Sequence, residues 1–187
     1  MGKILISSGS SLCVEFGSSI SEEINQRVNA FAKLLEKENV PGVTELVPTY
    51  RSVTVHYRPE QISYARLRTV LEELSHRNVA VVQELQPEIV IPVLYGGTCG
   101  PDLPRVAALH GLTKEEVVRL HTAPSYLIYM MGFLPGFCYL GGLDKRIATS
   151  RLEVPRVKIP AGSVGIAGEQ TGIYPLDSRG GWQLIGR

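Results

Sequence analysis

The chain has 187 residues, 44% of them hydrophobic and 20% charged, with a formal net charge of +1. A compact chain of this length buries roughly 70% of its unfolded surface, enough for a real core in one large domain or two small ones. A near-neutral balance gives no electrostatic basis for binding nucleic acid or an anionic membrane surface, and no run approaches the roughly 18 apolar residues of a membrane span.

The opening MGKILISSGSSLCVEF lacks a long apolar core followed by a small-residue cleavage site, which predicts a cytoplasmic protein. Leu12, Val14 and Phe16 alternate as a strand that Gly17 breaks. Ser19 or Ser21 can cap a helix, with Glu22 and Glu23 at the positive end of its dipole. Ile24, Val28, Phe31, Ala32 and Leu35 then form one helical stripe, stopped at VPG, residues 40–42. Two short strands follow at 44–47 and 52–57, the second turning Val53, Val55 and Tyr57 inward. A second helix carries Tyr64, Leu67, Leu71 and Leu74, and NVAVVQEL, residues 78–85, supplies a last strand. The order β-α-β-β-α-β is the ferredoxin-like pattern, a sheet with two helices on one face.

A change of texture near Gln86 and Pro87 marks a boundary between two domains, 1–86 and 87–187, and the fold class is α+β. EIVIPVLYGG, residues 88–97, reads as a nearly continuous apolar strand. CGPDLPRVAALHG reads as a short helix with prolines near its start and Gly111 after its end. Thr113 to Glu116 is a T-x-x-E capping box opening a further helix that ends near His121. After a strand at 126–131, glycine takes over: 11 of the 19 glycines fall between Gly132 and Gly186, a density that excludes helix. Short strands at 157–159, 164–167 and 182–185 imply a small barrel or sandwich.

Most of the reactive-looking motifs read as structural. Ser163 lies in A-G-S-V-G, one residue away from a nucleophile elbow, and no helix follows it. Gly162, Gly165 and Gly168 match neither nucleotide-loop spacing, and tight turns or close strand approach account for them. His56, His76, His110 and His121 are scattered, and structural roles are expected for each. Cys13, Cys99 and Cys138 form no C-x-x-C pair and read as small fillers, so no metal site is expected. The helix pair around GLTKEEVVRLH has only Lys114 and Arg119 to meet phosphates, too few for a DNA-binding helix-turn-helix.

The stretch GFLPGFCYLGG, residues 132–142, is different. Phe133, Phe137 and Tyr139 flank Pro135 between glycines, without helical or strand period. Such rings line either a turn or the wall of a concave site, with packing alone as the other reading.

The blocks YLIYMMGFLPGFCYLGGLD, PRVKIPAGSVGIAGEQTGIYP and SRGGWQLIGR, with VEFG, VPTYRSV and GPDL before them, closely resemble the family of 5-oxoprolinase B subunits. That family includes KipI, an inhibitor of a sporulation histidine kinase, and has long carried the label allophanate hydrolase subunit 1. The resemblance implies a ferredoxin-like N-terminal domain and a cyclophilin-like β-barrel over 87–187. It also implies a protein that works with companion A and C subunits to open 5-oxo-L-proline to L-glutamate using ATP. KipI-type inhibition of a histidine kinase is the alternative. Two departures stand out: Arg179 replaces the proline of the usual Ser-Pro-Gly-Gly-Trp, and relatives continue beyond Arg187 by about one more block of strands, so the barrel is expected to lack its last strands here.

ATP-driven lactam opening needs cationic and N–H groups around a developing anion, and Arg156 and Lys158 are the nearest suppliers. ATP is expected at the level of the complex, and no activity is expected from this chain alone. The expected binding surface joins Phe133, Phe137 and Tyr139 to Gln170, Thr171 and Tyr174 of the EQTGIYP turn and to Trp182, as an open aromatic patch of the kind that partners cover.

Overall fold

The computed structural model of the chain describes residues 2–77 and 87–187. The chain divides into two compact units, Met1–Leu85 and Gln86–Arg187.

In the first unit, strands β1 (Lys3–Ser8) and β2 (Ser11–Glu15) form a hairpin, helix α1 (Glu22–Glu38) follows, then strands β3 (Val43–Pro48) and β4 (Ser52–Tyr57), then helix α2 (Tyr64–His76). Among the described residues the strands pair antiparallel in the order β1-β2-β4-β3. The expected helical stripe is the core face of α1: Val28, Phe31, Ala32 and Leu35 bury against Leu12, Val14, Val53, Val55 and Tyr57. Leu67, Leu71 and Leu74 of α2 complete that cluster, each such side chain contributing about 1.5–3 kcal/mol. Ser21 caps α1 by accepting the Ile24 N–H.

One feature departs from expectation. Strand β1 has no counterpart in the sequence pattern, because nearly all of its side chains are exposed and a strand without a buried face shows no alternation. It flanks β2 on the side away from β4. The expected last strand, 78–85, lies outside the described residues.

The second unit runs through helices α3 (Leu103–His110) and α4 (Lys114–Thr122), strands β5 (Leu127–Met131) and β6 (Cys138–Gly141), and a short 3₁₀ turn at Lys145–Ile147. It continues through β7 (Arg156–Ile159), β8 (Val164–Ala167), β9 (Gln170–Ile173), β10 (Ser178–Gly180) and β11 (Gln183–Gly186). Among the described residues β7 and β10 form a pair, and the rest form a five-stranded sheet, β11-β8-β9-β6-β5. The T-x-x-E box at the start of α4 is fully formed: Thr113 Oγ1 accepts the Glu116 N–H and the Glu116 carboxylate accepts the Thr113 N–H.

The run 88–97 corrects a second expectation. It is not a continuous strand: only Tyr95 forms a bridge, to Gly186, and Ile89, Val90, Ile91 and Leu94 are exposed. Pro92 lacks an N–H, and among the described residues the run meets another strand only beside the end of β11, where Leu94 and Arg187 exchange hydrogen bonds and the Gly96 N–H donates to the Ile185 carbonyl.

Strands β8 and β11 of this sheet are buried on both faces. Val164, Ile166 and Ile185 point to Leu103, Val106, Val117 and Leu120 of the two helices. Their neighbours Ala167 and Leu184 point the opposite way, into a cluster with Phe137, Ile159, Tyr174 and Trp182. This two-sided burial gives β8 and β11 apolar runs in place of alternation. No helix among the described residues is long and apolar enough to cross a membrane.

Candidate functional site

The aromatic residues singled out in the sequence do come together, but mainly as core. Phe137, Tyr174 and Trp182 are 1%, 1% and 5% exposed. Phe137 is the hub: its ring centroid lies 4.9 Å from Tyr139, 5.2 Å from Tyr174 and 5.5 Å from Trp182, edge to face in each case. The expected open patch is therefore corrected. Glycine neighbours do not leave these rings bare; they let rings press directly on backbone. A Cβ on Gly172 would come within 2.9 Å of the Phe137 ring and 3.1 Å of Trp182, so the rings fill the space that a side chain would have taken. Burial raises the Tyr174 phenol to about 12.

Phe133 is the exception. It is 59% exposed, has a left-handed backbone with φ 67°, and lays its ring edge to face on Phe137 at 5.6 Å. Tyr139 is half-buried. Arg151 places its guanidinium 6.0 Å from the Trp182 ring centroid. Of the expected aromatic rings, Phe133 and part of Tyr139 thus remain accessible, with the Arg151 cation, not singled out in the sequence, beside them.

The expected cations are also redistributed. Arg156 does not stand free: its Nη2 donates to Asp102 Oδ1 at 2.6 Å and its Nη1 to the Trp182 carbonyl at 3.4 Å. Asp102 sits at the N-cap of α3 yet makes no side-chain cap there. Its second oxygen accepts the Leu184 N–H at 2.6 Å. This half of the expected anion site is a structural tie between the 96–102 turn, β7 and β11. Lys158 is exposed, 3.7 Å from the Asp177 carboxylate. Ser163 donates its hydroxyl to the Pro160 carbonyl at 2.7 Å and is buried, so it serves a turn.

Gln170 is half-buried, and Thr171 is buried on the side of the helices. There it ends a chain of hydrogen bonds that the sequence does not reveal. Thr171 Oγ1 donates to the Gly165 carbonyl at 3.0 Å. It can therefore only accept from His121 Nε2, 2.8 Å away. That leaves His121 Nδ1 to accept the Tyr95 hydroxyl proton at 2.7 Å. Burial holds His121 neutral, with its pKa pulled down to about 4, and pushes Tyr95 up to about 12. The chain has one proton direction, from Tyr95 to His121 to Thr171 to Gly165. The sequence carries a trace of it: His121 lies four residues after Val117, on the apolar stripe of α4.

Tyr95 forms one wall of an open cleft of about 560 Å³, a volume in the small-ligand range. The turn at Gly96 and Gly97 continues that wall, Leu103 and Pro104 begin α3 beside it, and α4 supplies Lys114, Glu115, Val118 and Arg119 opposite. Lys114 and Arg119 make no ion pair within 4 Å among the described residues, and the cleft lining carries these two cations against the single carboxylate of Glu115.

Residues 3–187 match the family described as carboxyltransferase domain, subdomain C and D. The chain is 43% identical over 189 residues to the 5-oxoprolinase B subunit of Bacillus subtilis (strain 168), covering 95% of this chain and 78% of that protein. A crystal structure of TTHA0988 superposes with a TM-score of 0.79 at 38% identity, over 94% of this chain and 34% of that one, so this chain spans about a third of that protein. The urea carboxylase of Kluyveromyces lactis shares the fold, with a TM-score of 0.80 at 19% identity over 100% of this chain and 19% of that one. This mixed α/β chain, with its antiparallel sheets and glycine-aromatic blocks, belongs to the carboxyltransferase subdomain C and D family and, within it, to the 5-oxoprolinase B subunits.

Proposed function

We propose that this chain is the B subunit of a cytoplasmic, ATP-dependent 5-oxoprolinase that opens 5-oxo-L-proline to L-glutamate together with companion A and C subunits. The observation that carries this reading is the 43% identity to a 5-oxoprolinase B subunit across 78% of its length. In the same reading the first unit is a ferredoxin-like domain and the second a cyclophilin-like barrel.

The chemistry explains why an assembly is needed rather than a lone enzyme. A lactam carbonyl is a weak electrophile. Transfer of the γ-phosphoryl group of ATP to the lactam oxygen, releasing ADP, makes the ring carbon attackable by water. The C–N bond then breaks with the proton going to the amine, and a second water releases phosphate to leave glutamate. This chain's best candidates for a nucleophile and an anion clamp are occupied: Ser163 by Pro160, and Arg156 by Asp102 and Trp182. In this reading ATP is bound at the level of the assembled complex. Gln170, Lys158, Phe133 and Tyr139 are the residues of the expected surface still open to substrate or partner.

The test is co-expression with the companion subunits, followed by an assay of ATP-dependent glutamate formation. Turnover by the assembly and none by this chain alone is the expected result. An assembly that forms without turning over 5-oxo-L-proline overturns the reading.

A further inference from the structure

We infer that the cleft between the Tyr95–Gly97 turn and helix α4 is a binding site for a small carboxylate with a compact ring and an N–H donor. The ligand class follows from the lining; its identification with 5-oxo-L-proline rests on the proposed function. Lys114 and Arg119 of α4 both line the cleft and neither makes an ion pair within 4 Å among the described residues, the Glu116 and Asp144 carboxylates lying only within longer electrostatic reach of Arg119. Two such cations facing one small cavity suit a carboxylate, whose two oxygens can be shared between an ammonium and a guanidinium. Glu115, also on the rim, supplies the acceptor for a ligand N–H. Leu103, Val118 and the ring of Tyr95 supply apolar wall for a small ring.

The wall is built to stay in place. Tyr95 is half-buried and its hydroxyl is committed to the neutral Nδ1 of His121, which Thr171 orients from behind. His121 and Thr171 are thus positioning residues: they fix the ring that shapes the cleft without reaching the ligand. A cleft fixed in advance loses little ordering entropy when it fills.

Equilibrium binding to the full chain and to its assembly with the companion subunits tests this, with three probes. These are 5-oxo-L-proline, cyclopentanecarboxylate, which lacks the N–H, and 2-pyrrolidinone, which lacks the carboxylate. Arg119→Gln and Lys114→Gln should each weaken the two carboxylates by about tenfold or more while leaving 2-pyrrolidinone unchanged, the scale of one charge-assisted hydrogen bond. Glu115→Gln should weaken only the N–H probes, and Lys37→Gln on the first unit should change nothing. Thermal melts confirm that each variant is folded. Carboxylate binding that is equal in all variants, or absent from both the chain and the assembly, overturns the cleft. If the assembly makes glutamate with an unchanged KM in the Arg119 and Lys114 variants, the cleft falls and the function stands. If carboxylate binding depends on Arg119 but no assembly turns over, the cleft stands and the function falls.

Discussion

His121 Nε2 lies 2.8 Å from Thr171 Oγ1 across 50 residues of sequence, joining the last turn of α4 to β9 through an imidazole that is 6% exposed. Nε2 gives its proton to Thr171 and Nδ1 accepts from Tyr95, so the neutral tautomer protonated at Nε2 satisfies both partners. A second proton on the ring would force the Tyr95 hydroxyl to turn from donor to acceptor and place a charge in buried surroundings.

Acid sensitivity follows. His121 titrates near 6.5 in the unfolded chain and near 4 when folded, so between these values the unfolded state binds a proton that the folded state refuses. Stability from this residue is complete above about pH 7 and falls as pH drops from 6.5 to 4, by about 3 kcal/mol in all. Urea unfolding at a series of pH values measures it, read by the fluorescence of Trp182, the single tryptophan. His121→Gln should lower stability at pH 7 and flatten the slope across that window; a slope unchanged by the substitution would count against the assignment.

Asp102→Ala should be among the most destabilising single changes in the second unit. It strands the Arg156 guanidinium and removes the acceptor of the buried Leu184 N–H. Loss of one partner of a fully buried pair costs about 3–5 kcal/mol, and with the Arg156 side chain 28% exposed the loss here should fall below that range. Arg156→Met, which leaves Asp102 its backbone donor, should lose less. Urea midpoints of the two variants and the double variant give the coupling, and a coupling near zero would show that the tie is not energetic.

Phe137 and Phe133 should separate core from surface. Phe137→Ala empties the hub of the ring cluster and should cost about 3–5 kcal/mol. Phe133→Ala removes a ring that is 59% exposed and should change stability by less than about 1 kcal/mol. If Phe133 anchors a companion subunit, its loss should weaken that association by about 2 kcal/mol or more. Melting temperature and companion binding, measured on both variants, check this pair of outcomes.

Gly100→Ala should fail more severely than most glycine changes. A Cβ there would stand 2.0 Å from the Ile185 carbonyl oxygen, and backbone inside a strand cannot step aside. The turn would have to lift away from β11, taking Asp102 with it. Soluble yield and the melting temperature of the variant are the measurements, and wild-type values for both would contradict the packing described.

The sequence is most legible where one face is buried and the other wet. The stripe Val28, Phe31, Ala32, Leu35, the alternation Val53, Val55, Tyr57 and the box Thr113–Glu116 each express a local period or a local hydrogen bond, and each appears in the structure. Legibility fails where burial has no period. Strand β1 is exposed, and the run 88–97 is apolar yet mostly unpaired. It fails again where a role depends on a distant partner. Arg156 reads as a free cation because Asp102 is 54 residues away. Glycines around Phe137 and Trp182 read as openness, whereas they admit the rings. In EQTG, one face of β9 carries Thr171 toward His121 and the other carries Gly172 against Phe137, a division that only the sheet makes visible.

The paired backbones of Leu94 and Arg187 also govern when the second unit can form. Its opening segment must wait for its last described strand before finding hydrogen-bond partners, so the loop to be closed is nearly the whole unit. Contacts this distant in sequence slow folding. During synthesis residues 88–94 emerge well before residue 187 does, so this stretch stays without strand partners until β11 has followed it.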